Sequence, residues 1–282
     1  MAVELHTGQV QGVCKIATGT PTALCRALTG GSVSISQNVI QKKGTGGQIH
    51  SRPGTISIEV SLDCVGVTPT DLALWFPTAA GVAVASFPDL LVVQGSNQHI
   101  LSGGQPMSVS ASCDNGADAE ITYSLKAVYA GYAITTGEAV VYNALLGHTL
   151  YDITAQIGAA DADIMSFSLE NDLGGSLFNA MNTRSAQSKR FATGSYVTGQ
   201  DPKVSFVSSK QLPVTDMNAD VPAVNDIVFT LANGTAGENV TFTCNDFYVN
   251  SWEDPVEVEG VIGFSHELVP ASGTQYSRIV VT

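Results

Sequence analysis

Apolar and polar residues alternate along most of the chain. Ser32-Val-Ser-Ile-Ser-Gln37 sets Val33 and Ile35 on one face and serines on the other. Thr55-Ile-Ser-Ile-Glu-Val-Ser-Leu62 turns Ile56, Ile58, Val60 and Leu62 to one side in the same way. The period of two returns in Ile121-Thr-Tyr-Ser-Leu125, Met165-Ser-Phe-Ser-Leu169, Val204-Ser-Phe-Val207 and Val240-Thr-Phe-Thr-Cys244. Successive strand side chains point to opposite faces, so each run predicts a strand with one buried face. Pro-Gly, Asn-Gly and Gly-Gly pairs at 53–54, 115–116, 30–31, 46–47, 103–104, 174–175 and 233–234 supply turn residues. Helical signals are few. Thr68 offers an N-cap followed by Pro69, and Pro77 stops that helix within about two turns. Residues 136–146 and 175–181 are further short helical candidates. The expected fold is all-β with short helical inserts.

The alternation also repeats at long range. Ser32-Val-Ser-Ile-Ser-Gln-Asn38 resembles Met165-Ser-Phe-Ser-Leu-Glu-Asn171, and each run opens into a polar stretch rich in cations. Lys42, Lys43 and Arg52 lie in the first stretch, 39–52; Arg184, Lys189 and Arg190 lie in the second, 182–203. Both are expected to be long loops, and each leads into a strand through Arg52-Pro-Gly or Asp201-Pro-Lys. Further on, 121–129 lines up with 240–248. The ordered set predicts two copies of one β-unit, 1–141 and 142–282.

Composition narrows the function. Charged residues make up 13% of the chain, about half the ~25% usual for soluble proteins, as expected of a surface covered by neighbours. Twelve basic against 25 acidic residues give a net charge of −13, which argues against general phosphate binding. The first unit carries −3 and the second −10, so the acidity is concentrated in 142–282. The N-terminus has no basic region followed by an apolar run, and 81–93 is too short and too interrupted to span a membrane. No secretory signal and no membrane segment are therefore expected. Cys14, Cys25, Cys64, Cys113 and Cys244 are odd in number and lack CxxC spacing, so they read as buried small hydrophobes of a reducing compartment.

The catalytic inventory is nearly empty. His6, His50, His99, His148 and His266 are widely spaced, without HxxxH or HExxH. Gly263-Phe-Ser-His-Glu267 lacks the second glycine of a nucleophile elbow, and no glycine-rich phosphate loop is present. Asp161-Ala-Asp163 has no further oxygen ligands at calcium-loop spacing and reads as a solvated loop. The acids from Glu253 to Glu259 alternate with valines as one face of a strand would. Asn233-Gly-Thr and Asn239-Val-Thr match the glycosylation pattern by accident in an unexported chain. No catalytic residue, cofactor or metal ligand is expected, and the chain does not read as an enzyme. An enzyme would need carboxylates brought together from separate strands.

Taken together, the run 28–38, the stretch 39–52, strand 55–62, helix 68–76 and the terminal run 259–269 resemble the major tail tube proteins of long-tailed bacteriophages, in the variant with a duplicated unit. The resemblance covers most of the chain as a pattern of elements and rests on no diagnostic motif. It implies β-sandwich units with long inter-ring loops, and the loop cations Lys42, Lys43, Arg52, Arg184, Lys189 and Arg190 facing acidic groups of adjacent rings. It also implies a ring of three duplicated chains with pseudo-sixfold symmetry, or of six chains, stacked into a tube. The partners would be further copies of the chain, terminator, distal tail and tape measure proteins, and double-stranded DNA passing unbound through the bore. The location would be the virion tail, after assembly in the host cytoplasm. With four lining strands per unit a ring would have ~24 strands, spaced ~4.8 Å and tilted ~40°, giving a bore of roughly 40 Å. The alternative is a capsid decoration or adhesin-type binding protein built from the same sandwiches.

Overall fold

The computed structural model describes residues 12–16, 20–45, 49–77, 87–94, 97–113, 119–136, 139–141, 144–157, 160–178, 194–209, 225–258, 261–271 and 279–282. Its first strands are β1 (Gly12–Ile16), β2 (Thr22–Ala23), β3 (Cys25–Lys43), β4 (Ile49–Val67), β5 (Asp89–Gln94), β6 (Asn97–Cys113) and β7 (Thr122–Thr135). There follow β8 (Ile153–Ile157), β9 (Ala160–Ala162), β10 (Ile164–Asp172), β11 (Ser176–Phe178), β12 (Gly194–Tyr196) and β13 (Asp201–Ser208). The last are β14 (Asn225–Leu231), β15 (Val240–Val258), β16 (Val261–Pro270) and β17 (Ile279–Val281). The protein is all-β, with one short helix and two 3-10 turns among the described residues.

The pairing order occurs twice. In the first half it runs β2–β1–β5–β6–β7–β4–β3, antiparallel throughout. In the second half β9–β8–β14–β15–β16–β13–β10 follows the same path, again antiparallel. The break falls between Thr135 and Ile153. The matched runs 32–38 and 165–171 lie on β3 and β10, which hold equivalent places, but residue by residue they are out of phase: Val33 and Ile35 take the core side of β3, whereas Ser166 and Ser168 take the polar side of β10. The other match fails: 121–129 is on β7, whose counterpart is β16, whereas 240–248 is on β15, the counterpart of β6. A period of two fits any strand onto any other, so alternation alone does not fix which strands correspond.

A corner is repeated as well. In β6, Gly103 has φ +65°, and its N–H donates to an Asp89 carboxylate oxygen (3.0 Å) at the start of β5. In β15, Asp246 has φ +58°, and its N–H donates to an Asp226 carboxylate oxygen (3.1 Å) in β14. Each corner needs the left-handed region, which glycine enters freely and aspartate more readily than most residues.

The two halves are joined edge to edge. Along β6, residues 97–101 pair with β5 and 108–113 pair with β10, on the edge opposite β7. One cluster of buried apolar residues runs through both halves, from Val13, Leu62 and Leu125 to Phe206, Phe229 and Phe242. The helix α1 (Pro69–Leu72) is capped by the Thr68 hydroxyl, which accepts from the Asp71 N–H (3.1 Å), and it runs into the 3-10 turn Ala73–Trp75. This insert packs Trp75 edge-on against Phe87 (4.8 Å) and Phe76 against Phe242 of β15 (5.8 Å). Beside it, the Gln200 amide donates to the Pro77 carbonyl (2.9 Å) and accepts from the Ile279 N–H (3.0 Å).

Four segments expected to be loops or helices turn out differently where they are described. Residues 39–43 and 49–52 continue β3 and β4, so the first cationic stretch is mostly a hairpin, because the ladder persists to Lys43↔Ile49. In the second stretch, 194–196 and 201–203 are also strands, and 182–193 lies outside the described residues. The helical candidate 175–181 contains β11, which pairs with β12. Within 136–146 no described residue is helical; the Val141 carbonyl accepts from the Ala23 N–H (2.7 Å) and its own N–H donates to Pro21 (2.9 Å). Ladder formation overrides the local signal at 39–43, 49–52 and 176–178.

All five cysteines are free and buried. Burial pushes the Cys14 thiol up to about 11, helped by Cys25, so it remains protonated and unreactive at neutral pH.

Two histidines are also buried, His148 at 3% exposure and His266 at 1%. Burial holds both below the usual imidazole range; for His148 the nearby Asp152 and Glu238 push the other way, but less. The unfolded chain therefore binds protons more readily than the folded one below about pH 6.5. Stability is expected to be full above that pH and to fall as pH drops through 6 toward 5. Thermal melts of the native chain and of the His148→Gln/His266→Gln variant should show a shallower slope in the variant. Parallel slopes would remove the histidines from the explanation.

Candidate functional site: the polar face of an eight-strand sheet

Eight strands form one unbroken antiparallel run, β3–β4–β7–β6–β10–β13–β16–β15, with four contributed by each half. One face is core: Ile58, Val60, Leu125, Ala111, Leu169 and Phe206 are all buried. The alternate positions face away from it and are almost wholly serine or charged. Register lines them up in rows. One row is Asp63, Ser124, Ser110, Glu170, Lys203. Another is Ser112, Ser168, Ser205, Glu267, Ser251.

The charge on this face is one-sided. Its described carboxylates are Glu59, Asp63, Glu170, Asp172, Asp201, Glu253 and Glu267, against the cations Lys126 and Lys203. Glu170 stands opposite Lys203, a favourable cross-strand pair, but Asp172 stands directly opposite Asp201. Like charges so placed destabilise a ladder, and here they leave a net negative field over the joint between the halves. A groove of about 560 Å³ crosses that joint, lined by Ser108, Ser110, Lys126, Glu170, Asp172 and Lys203 among others.

The loop cations are placed differently from one another. Lys42 and Lys43 end β3, and Arg52 lies in β4; register sets Lys42 opposite His50 and Arg52 opposite Ile40. These three share one hairpin. Because β4 pairs with β7 only from Ile58 to Cys64, the hairpin continues past the sheet as a two-stranded arm of roughly 25 Å. Arg184, Lys189 and Arg190 lie outside the described residues.

Elsewhere, polar groups are used within the fold. Asp161 accepts from the Gln156 amide (2.9 Å), and Asp163 accepts from the Ser209 hydroxyl (3.3 Å). The Asn233 amide donates to Gly147 (2.7 Å) and to Glu238 (2.8 Å), which ties a turn together. Ser208 and His266 approach to 3.4 Å, a pair that sequence reading missed because β13 and β16 are far apart along the chain. Both side chains are buried, His266 Nδ1 has no partner among the described residues, and the ring lies against Phe206 (5.0 Å). Among the described residues no carboxylate meets Nδ1, the orienting contact that activates a serine in a triad. Among the described residues no three acidic, histidine or cysteine side chains converge to hold a metal. The arrangement presents an extended anionic wall. No family model matches this sequence, and no curated protein matches it.

Proposed function

We propose that this protein is a structural component of a virion tail, two tandem tail-tube units (1–141 and 142–282) that assemble into stacked rings around a channel for double-stranded DNA. The observation that carries this reading is the β6–β10 joint. It lets one sheet pass from the first half into the second without interruption. A sheet that grows in this way across copies curves into a barrel, and closure removes the exposed edges that make β-proteins aggregate. Four strands per half give ~24 for three chains, the number for which a bore of roughly 40 Å follows from strand spacing and tilt. The serine-rich, anionic face suits such a bore, since it holds phosphates off the wall and offers few cations to which counterion release could fasten DNA.

On this reading the arm bearing Lys42, Lys43 and Arg52 contacts the neighbouring ring. An isolated two-stranded hairpin is marginal in water, so an arm of this length gains by docking. Partners would be further copies of the chain together with terminator, distal tail and tape measure proteins. Electron microscopy of the concentrated purified chain, alone and with tail initiation components, is expected to show stacked rings with a central channel of about 40 Å. Particles that stay single and compact under both conditions would overturn the proposal.

A further inference from the structure

The two end strands of the eight-strand run each leave an edge without a ladder partner among the described residues. One belongs to β3, which pairs only with β4. The other belongs to β15 beyond Val249, where β16 occupies one side and β14 has already ended at Phe247. These are the counterparts of the two strands that meet at the joint inside the chain: β3 corresponds to β10, and β15 to β6. We infer that a second copy completes the sheet by pairing its β3 edge, residues 32–37, antiparallel with the β15 edge, residues 248–258, as β10 pairs with β6. The inference deepens the tube reading by naming the edges. It rests on that reading only for ring size and stacking.

Burial supports the assignment. Strand β10 has partners on both sides, and its core-side Phe167 and Leu169 are 2% and 0% exposed. Strand β3 carries the same alternating pattern with one side open, and Ile35 is 45% exposed. Nothing in its sequence protects that edge. From Ala27 to Gln41 there is neither a charged residue nor a proline, the devices that natural edge strands use against pairing. On β15, Pro255 falls in the bulge between Glu253 and Val256, where the ladder is already interrupted.

Charge selects the same partner. Between Leu5 and Glu59 the chain has five cations, Lys15, Arg26, Lys42, Lys43 and Arg52, and no carboxylate. From Gln211 to Ser277 it has ten carboxylates and no lysine or arginine, and Glu253, Asp254 and Glu257 sit on β15 itself. The β3–β4 hairpin of one copy and the β15–β16 hairpin of the next are therefore oppositely charged. Because the two edges differ, the contact is head-to-tail and repeats until it closes.

The test uses the full chain carrying Ser34→Cys and Glu253→Cys, with a thiol cross-linker that reaches about two register steps, roughly 7–10 Å. The native thiols are buried, so labelling is confined to the new sites. A ladder of covalent dimers and trimers in the double variant, absent from either single variant, is the expected result. Ile35→Glu added to the double variant should abolish the ladder while leaving the circular dichroism spectrum and the melting temperature of the subunit unchanged. Rings or tubes seen by microscopy without any cross-link would overturn the edge assignment and leave the tube reading standing. Cross-linked closed rings that never stack would uphold the edges and count against the tube. A chain that stays monomeric by light scattering at high concentration would overturn the inference.

Discussion

Phe242→Ala is expected to lower stability by about 3–5 kcal/mol, the usual cost of emptying a fully buried aromatic site. Phe242 is 0% exposed, and Phe229 and Val281 face it across the ladders on either side of β15. Its ring also meets Phe76 of the helical insert, so the cavity would open where the first half touches the second. For a chain of this size the melting temperature should fall by roughly 10 °C. Because one apolar cluster runs through both halves, the loss should appear as a single shifted transition. Two separate transitions, only one of them moved, would show that the halves unfold independently.

Gly175→Ala should also be damaging, for a different reason. A Cβ at Gly175 would lie 2.1 Å from the Pro106 carbonyl oxygen and 3.0 Å from the Met107 Cα. Both obstacles are backbone, so no side-chain rotation relieves them, and the 173–175 segment must move off β6. The neighbouring Leu173 N–H, which donates to Met107 (2.8 Å), would be pulled with it. Overpacking of this kind typically costs about 1–3 kcal/mol. The effect should also reach the β6–β10 ladder, which ends at Ser108↔Asp172 only a few residues away. Amide exchange resolved by residue is the suitable measurement. Faster exchange along 168–172, beyond any global destabilisation, is the expected result; unchanged protection there would separate Gly175 from the joint.

The candidate surface was partly legible in advance. Ser124, Ser168 and Ser205 each stand out as the polar half of an alternating run, but singly they read only as solvated faces. That they form cross-sheet rows with Asp63, Glu170 and Glu267 depends on register, which is set by turn and bulge geometry distributed over seven ladders. The Ser208–His266 contact was hidden for the same reason. Lys42, Lys43 and Arg52 stand out in the sequence as a cluster, where they read as part of a loop. Polar composition suggests a loop, whereas a long antiparallel ladder accepts polar residues on both faces wherever the hairpin stands clear of the core.

By itself the sequence determined the class of the fold, the positions of six of the seventeen described strands, the capped helix that begins at Thr68 and the burial of the thiols. Those follow from local rules: period, turn residues, capping and charge count. Which strands correspond between the halves, where β6 turns its corner, which edges meet and which edges stay open were decided by the tertiary structure. A period of two makes every strand a possible partner of every other. Only closing the chain around a shared core selects one pairing and, with it, the face that β4, β7, β6, β10, β13 and β16 turn away from that core.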